Sequence, residues 1–167
     1  DEPGDMKAQA HEIASWGKQV FVKIPIVNTR GESTEDVIHD LAHFGVKVNV
    51  TAVMTAHQAA ALDGALTRTP AIVSVFAGRI ADTGRDPQRI MRRVKGLLAG
   101  RKNVEILWAS AREILNYYQA ADVDADIITL PADLMAKLKL KDYDLEQFSR
   151  ETAAQFYADA VAAGFAI

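Results

Sequence analysis

The 167-residue chain contains no cysteine, which excludes disulfide staples and thiolate metal sites and fits residence in a reducing cytoplasm. No apolar run approaches the roughly 20 residues needed to span a bilayer, so no membrane role is expected. Cationic charge is not in excess either. Lys and Arg number 19 against 22 Asp and Glu, a formal net charge of -3, and no large positive field points to nucleic acid. The opening residues Asp1-Glu2-Pro3-Gly4-Asp5 lack an initiator Met and lack the apolar core of a signal peptide. A Gly-rich G-x-G-x-x-G turn is also missing after the first apolar run, which argues against a dinucleotide site.

What is present reads as one soluble globular domain over residues 1–167, with 49% apolar and 25% charged residues. Runs rich in β-branched residues fall at 20–24, 46–51, 71–76, 104–108 and 126–130 and predict strands. Between them, apolar residues at three- and four-residue spacing, such as Ile90, Val94, Leu97 and Leu98, predict helices. Asp86-Pro87 reads as a cap followed by a first-turn proline. Thr55-Ala-His-Gln58 and Ser110-Ala-Arg-Glu113 both fit a capping box, and Gly17, Gly45 and Gly100 mark helix ends. Strands that alternate with helices imply right-handed βα units on a parallel sheet. The expected architecture is α/β, either a (β/α)8 barrel or a doubly wound sheet. Five strands are too few to close a barrel, which takes roughly 200–250 residues. With a leading helix at about 5–16, the chain corresponds to the last five βα units of eight.

Several polar residues punctuate these strands near their carboxyl ends, the functional face of such sheets. Lys23 interrupts an apolar run just before Pro25, where the strand should stop because proline cannot donate to the ladder. A buried lysine there would be held neutral and nucleophilic toward a carbonyl. A lysine whose stem packs while its head reaches water gives the same pattern. Asn49 and Thr51 end the next strand and could position a water or a substrate oxygen, although Thr is also simply a good strand residue. Arg79 and Arg112 stand just beyond two neighbouring strands and suit bidentate phosphate binding, with Ser110 either a phosphate ligand or a helix cap. His39 and His43 imitate a metal pair, yet no third ligand suggests itself, so they read as a solvated helix face. Arg89, Arg92, Arg93 and Lys95 read as the outer face of a helix, and Tyr117-Tyr118 and the Phe148/Phe156 pair read as packing residues.

Together these segments resemble the transaldolase family, including its small fructose-6-phosphate aldolase-like branch. Val22-Lys23-Ile24-Pro25 is similar to the family's Schiff-base strand, and Asn49-Val50-Thr51 to the strand that follows it. Ser74-Val75-Phe76-Ala77-Gly78-Arg79 is similar to the next strand, and Ala109-Ser110-Ala111-Arg112 to the phosphate-binding turn. The final strand, Ile127-Ile128-Thr129-Leu130-Pro131, also has the family look. The resemblance implies a cofactor-free, metal-free aldol transferase of carbohydrate metabolism, in the pentose phosphate pathway. By the same resemblance Lys23 forms the imine, Thr51 holds a proton-shuttling water and Asn49 binds substrate hydroxyls. Ser74 and Phe76 line the substrate site, while Arg79, Ser110 and Arg112 grip the phosphate. Phe76 looks like transaldolases proper, because the aldolase branch carries Tyr there. Transfer is therefore the first expectation and simple aldol cleavage the second.

The family's acid on the first strand, its Asn after the second, and a carboxylate or amide on the third have no counterpart between residues 1 and 167. The expectation is that these positions lie upstream of Asp1, so that residues 1–167 hold an incomplete acid–base set. The third expectation is accordingly an incomplete barrel that binds sugar phosphate or serves in an assembly. The stretch 144–167 reads as a long helix of the kind that packs on a neighbouring subunit in the small-barrel branch, which implies a homo-oligomer.

Overall fold

The structure is a computed structural model, and it describes residues 1–165. A first helix, α1 (Pro3–Ser15), leads into β1 (Val22–Pro25), α2 (Glu35–His43), β2 (Val48–Val53), α3 (Ala56–Ala65) and β3 (Ala71–Val75). The short α4 (Ala77–Asp82) and longer α5 (Pro87–Leu98) follow, then β4 (Val104–Trp108), α6 (Leu115–Asp122) and β5 (Ile127–Ile128). The chain continues through α7 (Ala132–Ala136), a 3₁₀ turn at Lys137–Leu140, and α8 (Leu145–Ala162).

The five strands lie side by side in chain order, all parallel. The sheet is open, with β1 and β5 at its edges, so the fold is a sector of a (β/α)8-type barrel and not a closed ring. Strand positions follow the apolar runs closely, although the last strand is confined to two residues.

Local sequence explains the helices that brace the sheet. Asp86 accepts a hydrogen bond from the Gln88 N–H, and Pro87 occupies the first turn of α5. Met91, Val94 and Leu98 then fall on one buried face. The capping box at Thr55 and Gln58 forms as expected and starts α3. The one expected at Ser110 and Glu113 does not form, because α6 starts only at Leu115 with Ile114 at its cap position. In its place the Asn116 side chain accepts from the N–H groups of Arg112 and Glu113, at 2.8 and 3.3 Å.

The alternation of each strand sends Val22 and Ile24, Val48 and Val50, Val73 and Val75, and Ile106 and Trp108 under the helices. There they meet Ile38, Leu41, Leu62 and Met91, all fully buried. Each such aliphatic side chain contributes about 1.5–3 kcal/mol on removal from water. The opposite face carries Lys23, Asn49, Thr51, Ser74 and Leu107.

At the other end of the chain the sequence expectation needs correcting. Phe148 and Phe156 are not packed: they are 45% and 67% exposed, and α8 has no buried residue. Leu145, Phe148 and Phe156 fall on one side of α8, but neither the sheet nor its helices bury that side among the described residues. The expected helix ends at Ala162, and residues 166–167 of that expectation lie outside the described residues. No described helix is long and apolar enough to cross a membrane.

Candidate active site

Lys23 lies on edge strand β1, and its Cα is paired in register with Asn49 of β2. The side chain is exposed, contrary to the burial expected from the apolar run. The reason is architectural: Val22 and Ile24 point into the helix layer, so Lys23 points to the other face, which no further strand covers among the described residues. Pro25 is the last residue of β1, as the missing N–H requires, and its carbonyl accepts a hydrogen bond from the Thr34 hydroxyl.

Asn49 and Ser74 meet across the neighbouring strands. The Ser74 hydroxyl, 1% exposed, donates to Asn49 Oδ1 at 2.7 Å, which fixes the amide and leaves its NH2 group as the free donor. Two residues on, β2 carries an irregularity. Val50 pairs with Val73 but Val53 pairs with Val75, so Thr51 and Ala52 together oppose Ser74 alone. This is a β-bulge, and Ala52 takes the left-handed conformation at φ 59° to make it. Such a conformation costs a non-glycine residue about 1–2 kcal/mol. Next to it, the Thr51 hydroxyl is buried and has no hydrogen-bond partner. The left-handed Ala52 and the unpaired Thr51 hydroxyl both cost stability at this point of β2.

Phe76 caps α4, and its ring lies under the Arg79 guanidinium at 5.4 Å. The turn after β4 rises against the same helix. Ser110 has φ 66°, and its carbonyl packs directly on Gly78, whose N–H donates to the Ala109 carbonyl at 3.3 Å. Arg112 is held from the other side: Asp82 Oδ2 accepts from its Nε and Nη2 at 3.1 and 2.8 Å. That leaves the Nη1 side of the fork free. Gly78, Asp82 and Asn116 thus set the turn that carries Ser110 and Arg112. The sequence reading gave none of the three a role, and Asp82 pairs with Arg112 from 30 residues away, which no local spacing signals.

Of the eight residues singled out in the sequence, Lys23 and Asn49 pair in register as the second residues of β1 and β2, Thr51 and Ser74 lie further along β2 and β3, Phe76 and Arg79 follow β3 at the start of α4, and Ser110 and Arg112 follow β4. Three direct associations join members of the set or their immediate neighbours: Asn49 with Ser74, Phe76 with Arg79, and Gly78 with Ser110. Lys23 touches none of the other seven through a hydrogen bond. His39 and His43 stack at 6.1 Å on the exposed side of α2. Among the described residues no group of three or more His, Asp or Glu is placed to hold a metal ion.

A parallel βα sector with polar side chains on its inner face and in the turns beyond its strands defines part of an α/β barrel. The comparisons with known proteins narrow that class. The family model described as transaldolase/fructose-6-phosphate aldolase matches residues 1–166. A probable transaldolase 2 from Listeria monocytogenes is 34% identical over 160 residues, which cover 92% of this chain and 69% of that protein. A probable transaldolase from Brachyspira hyodysenteriae is 35% identical over 158 residues, covering 91% and 69%. Another from Streptococcus equi subsp. zooepidemicus is 35% identical over 136 residues, covering 80% and 60%. The chain belongs to the transaldolase/fructose-6-phosphate aldolase family, and it spans 60% to 69% of the length of these three relatives.

Proposed function

We propose that the chain carries the imine-forming half of a transaldolase, moving a dihydroxyacetone unit between sugar phosphates with Lys23 as nucleophile. The observation that carries this reading is the position of Lys23. It is on the inner face of its strand two residues before the terminal Pro25, in register with Asn49 and two pairs before Thr51, in a chain of this family. The Lys23 amine adds to the C2 carbonyl of a ketose phosphate and loses water to give an imine. The C3–C4 bond then breaks, with the C4 hydroxyl proton passing to a water held by Thr51. An aldose phosphate leaves, and a dihydroxyacetone enamine remains on Lys23. Attack of the enamine on an acceptor aldehyde and hydrolysis of the resulting imine return the free amine.

Asn49 donates to substrate hydroxyls through its free NH2 group, and Ser74 keeps that group turned outward from the strand pair. Arg79, Ser110 and Arg112 hold the phosphate. Phe76 supplies no phenol to protonate the enamine, which favours transfer over release; aldol cleavage of fructose 6-phosphate is the alternative. Residues 1–167 act as one domain in the cytoplasm, without a cofactor or metal, and α8 packs on another copy through the side that carries Leu145 and Phe156, both more than half exposed here.

A second reading is favoured by the exposure of Lys23 on an uncovered sheet face: a sugar-phosphate-binding or assembly subunit without turnover. Borohydride reduction in the presence of fructose 6-phosphate separates the two. The expected result is an adduct that maps to Lys23 and disappears in Lys23→Ala. A folded sample that gives no adduct favours the subunit without turnover. Product analysis with and without an acceptor aldehyde then divides transferase from lyase.

A further inference from the structure

We infer that Thr34 is a positioning residue for Lys23: its hydroxyl ties the open edge of β1 and so holds the lysine in place against Asn49 and Thr51. This role rests on Lys23 as the imine-forming residue, and Thr34 acts only through the backbone of the Lys23 strand.

Edge strand β1 pairs only with β2 among the described residues. The Val22 and Ile26 N–H groups donate toward that neighbour, to the Lys47 and Thr51 carbonyls at 2.8 and 2.9 Å. By the two-residue repeat of a parallel ladder, the backbones of Lys23 and Pro25 face the other edge, which is open. A strand tied on one side only opens readily, and Lys23 is the second of its four residues. Pro25 brings no N–H to the open edge, only a carbonyl, and the Thr34 hydroxyl donates to that carbonyl. Because Ile26 is joined to Thr51 on the other side, this bond fixes the end of β1 against the strand that carries Asn49 and Thr51.

What singles out Thr34 is the task its hydroxyl does not perform. It is the N-cap residue of α2, and four described helices have Thr or Asp at that position. Thr55, Asp86 and Asp144 each accept from a backbone N–H in the first turn of their own helix, at 3.2, 2.9 and 2.6 Å. The Thr34 side chain makes no such bond, and the Glu35 N–H donates instead to the Ser33 hydroxyl at 3.2 Å. Thr34 is only 4% exposed, so water scarcely competes for its hydroxyl. The preceding loop is folded to bring it there. Val27 and Ser33 form an antiparallel bridge, the Asn28 N–H donates to the Glu32 carbonyl at 2.9 Å, and the Thr34 N–H donates to the Ile26 carbonyl at 3.2 Å. A cap forgone in α2 and a hairpin closed beside Pro25 both serve to hold β1.

Borohydride trapping by fructose 6-phosphate in the full chain, followed against sugar concentration, tests this. Thr34→Val keeps the shape and removes the donor, and the expected result is a fall of about 10-fold or more in the trapping rate at saturation. The half-saturating concentration should stay within about 2-fold, because the phosphate-holding residues lie beyond other strands. Thr34→Ser restores the donor and should return the rate to within about 3-fold of the parent. Ser33→Ala is the control for stability alone: it removes the bond to the Glu35 N–H, leaves Pro25 untouched, and should trap at the parent rate. Thermal melts confirm folding; if Thr34→Val fails that check, Thr34→Cys takes its place, since a thiol donates only weakly. Trapping at the parent rate in the Val or Cys variant, a loss matched by Ser33→Ala, or a loss confined to the half-saturating concentration overturns the role of Thr34 and leaves Lys23 standing. Absence of an adduct in the parent chain overturns the Lys23 reading and the role of Thr34 with it.

Discussion

Gly78 lies so close to Ser110 that a Cβ added to it would stand 1.5 Å from the Ser110 carbonyl oxygen. The contact is between backbones of two successive βα turns, so neither partner can turn aside. Gly78→Ala is expected to push the turn after β4 away from α4 and to destabilise the chain by about 1–3 kcal/mol, as overpacking does. Phosphate affinity should fall with it, because Ser110 and Arg112 ride on that turn. Gly96 is the control: it lies within α5 with nothing within 4 Å of its added Cβ. Gly96→Ala should stabilise by about 0.5–1 kcal/mol through helix propensity. Urea denaturation of the two variants checks both signs.

Thr51 offers a test in which stability and function move in opposite directions. Its hydroxyl is buried without a partner, so Thr51→Val removes a desolvated polar group while keeping the shape. The variant is expected to be as stable as the parent or up to about 1–2 kcal/mol more stable. Borohydride trapping by fructose 6-phosphate should nevertheless slow by a factor of about 10² or more if Thr51 holds the proton-carrying water. Equal trapping rates in the two proteins would remove Thr51 from the chemistry.

Ser74→Ala deletes the donor that fixes Asn49 Oδ1. The expected loss is about 0.5–1.5 kcal/mol in denaturant unfolding, the net value of one hydrogen bond. Freed from Ser74, the Asn49 amide can flip, so substrate affinity should weaken more than the stability loss alone suggests. Comparing fructose 6-phosphate affinity in Ser74→Ala and Asn49→Ala checks this, and the double variant should lose little beyond Asn49→Ala.

The loop after the Lys23 strand carries a pH dependence. The Glu32 carboxyl is held below its ordinary value of 4.5, first by the Asn28 side-chain amide and then by Arg30, at 2.6 and 2.9 Å. Its folded value is lower than its unfolded one, so its contribution is present in full above about pH 4.5 and is lost as pH falls through the folded value. Asn28 Oδ1 also accepts from the N–H groups of Arg30 and Glu32, so the amide ties the loop together. The expected outcome is that the Asn28 side-chain NH2 resonances shift on acidification below pH 4.5 and that Glu32→Gln abolishes the shift. Movement at higher pH, or persistence in the variant, contradicts the assignment to Glu32.

Much of this protein was legible along the chain. β-branched runs separated by capped helices dictate parallel βα units, because each strand must bury the face that its apolar residues create. Asp86-Pro87 and Thr55-Gln58 start their helices for reasons wholly local to the sequence. The family resemblance was equally readable, since its motifs occupy successive strand ends. Local pattern failed where long-range contact decides. Ser110-Ala-Arg-Glu113 has the spacing of a capping box, yet packing against Gly78 draws Ser110 into a positive-φ turn and delays α6 to Leu115.

Composition and periodicity by themselves determined the α/β class and the strand positions, and so put Lys23, Asn49 and Thr51 on strands and Arg79 just past one, because propensity, proline and alternation act over a few residues. Only the tertiary structure decided which face Lys23 occupies, that Ser74 locks Asn49, that a bulge strands the Thr51 hydroxyl, and that Arg112 is paired with Asp82. Those outcomes depend on inter-strand register and on turns from separate βα units meeting in space, and no interval along a single strand or helix encodes them.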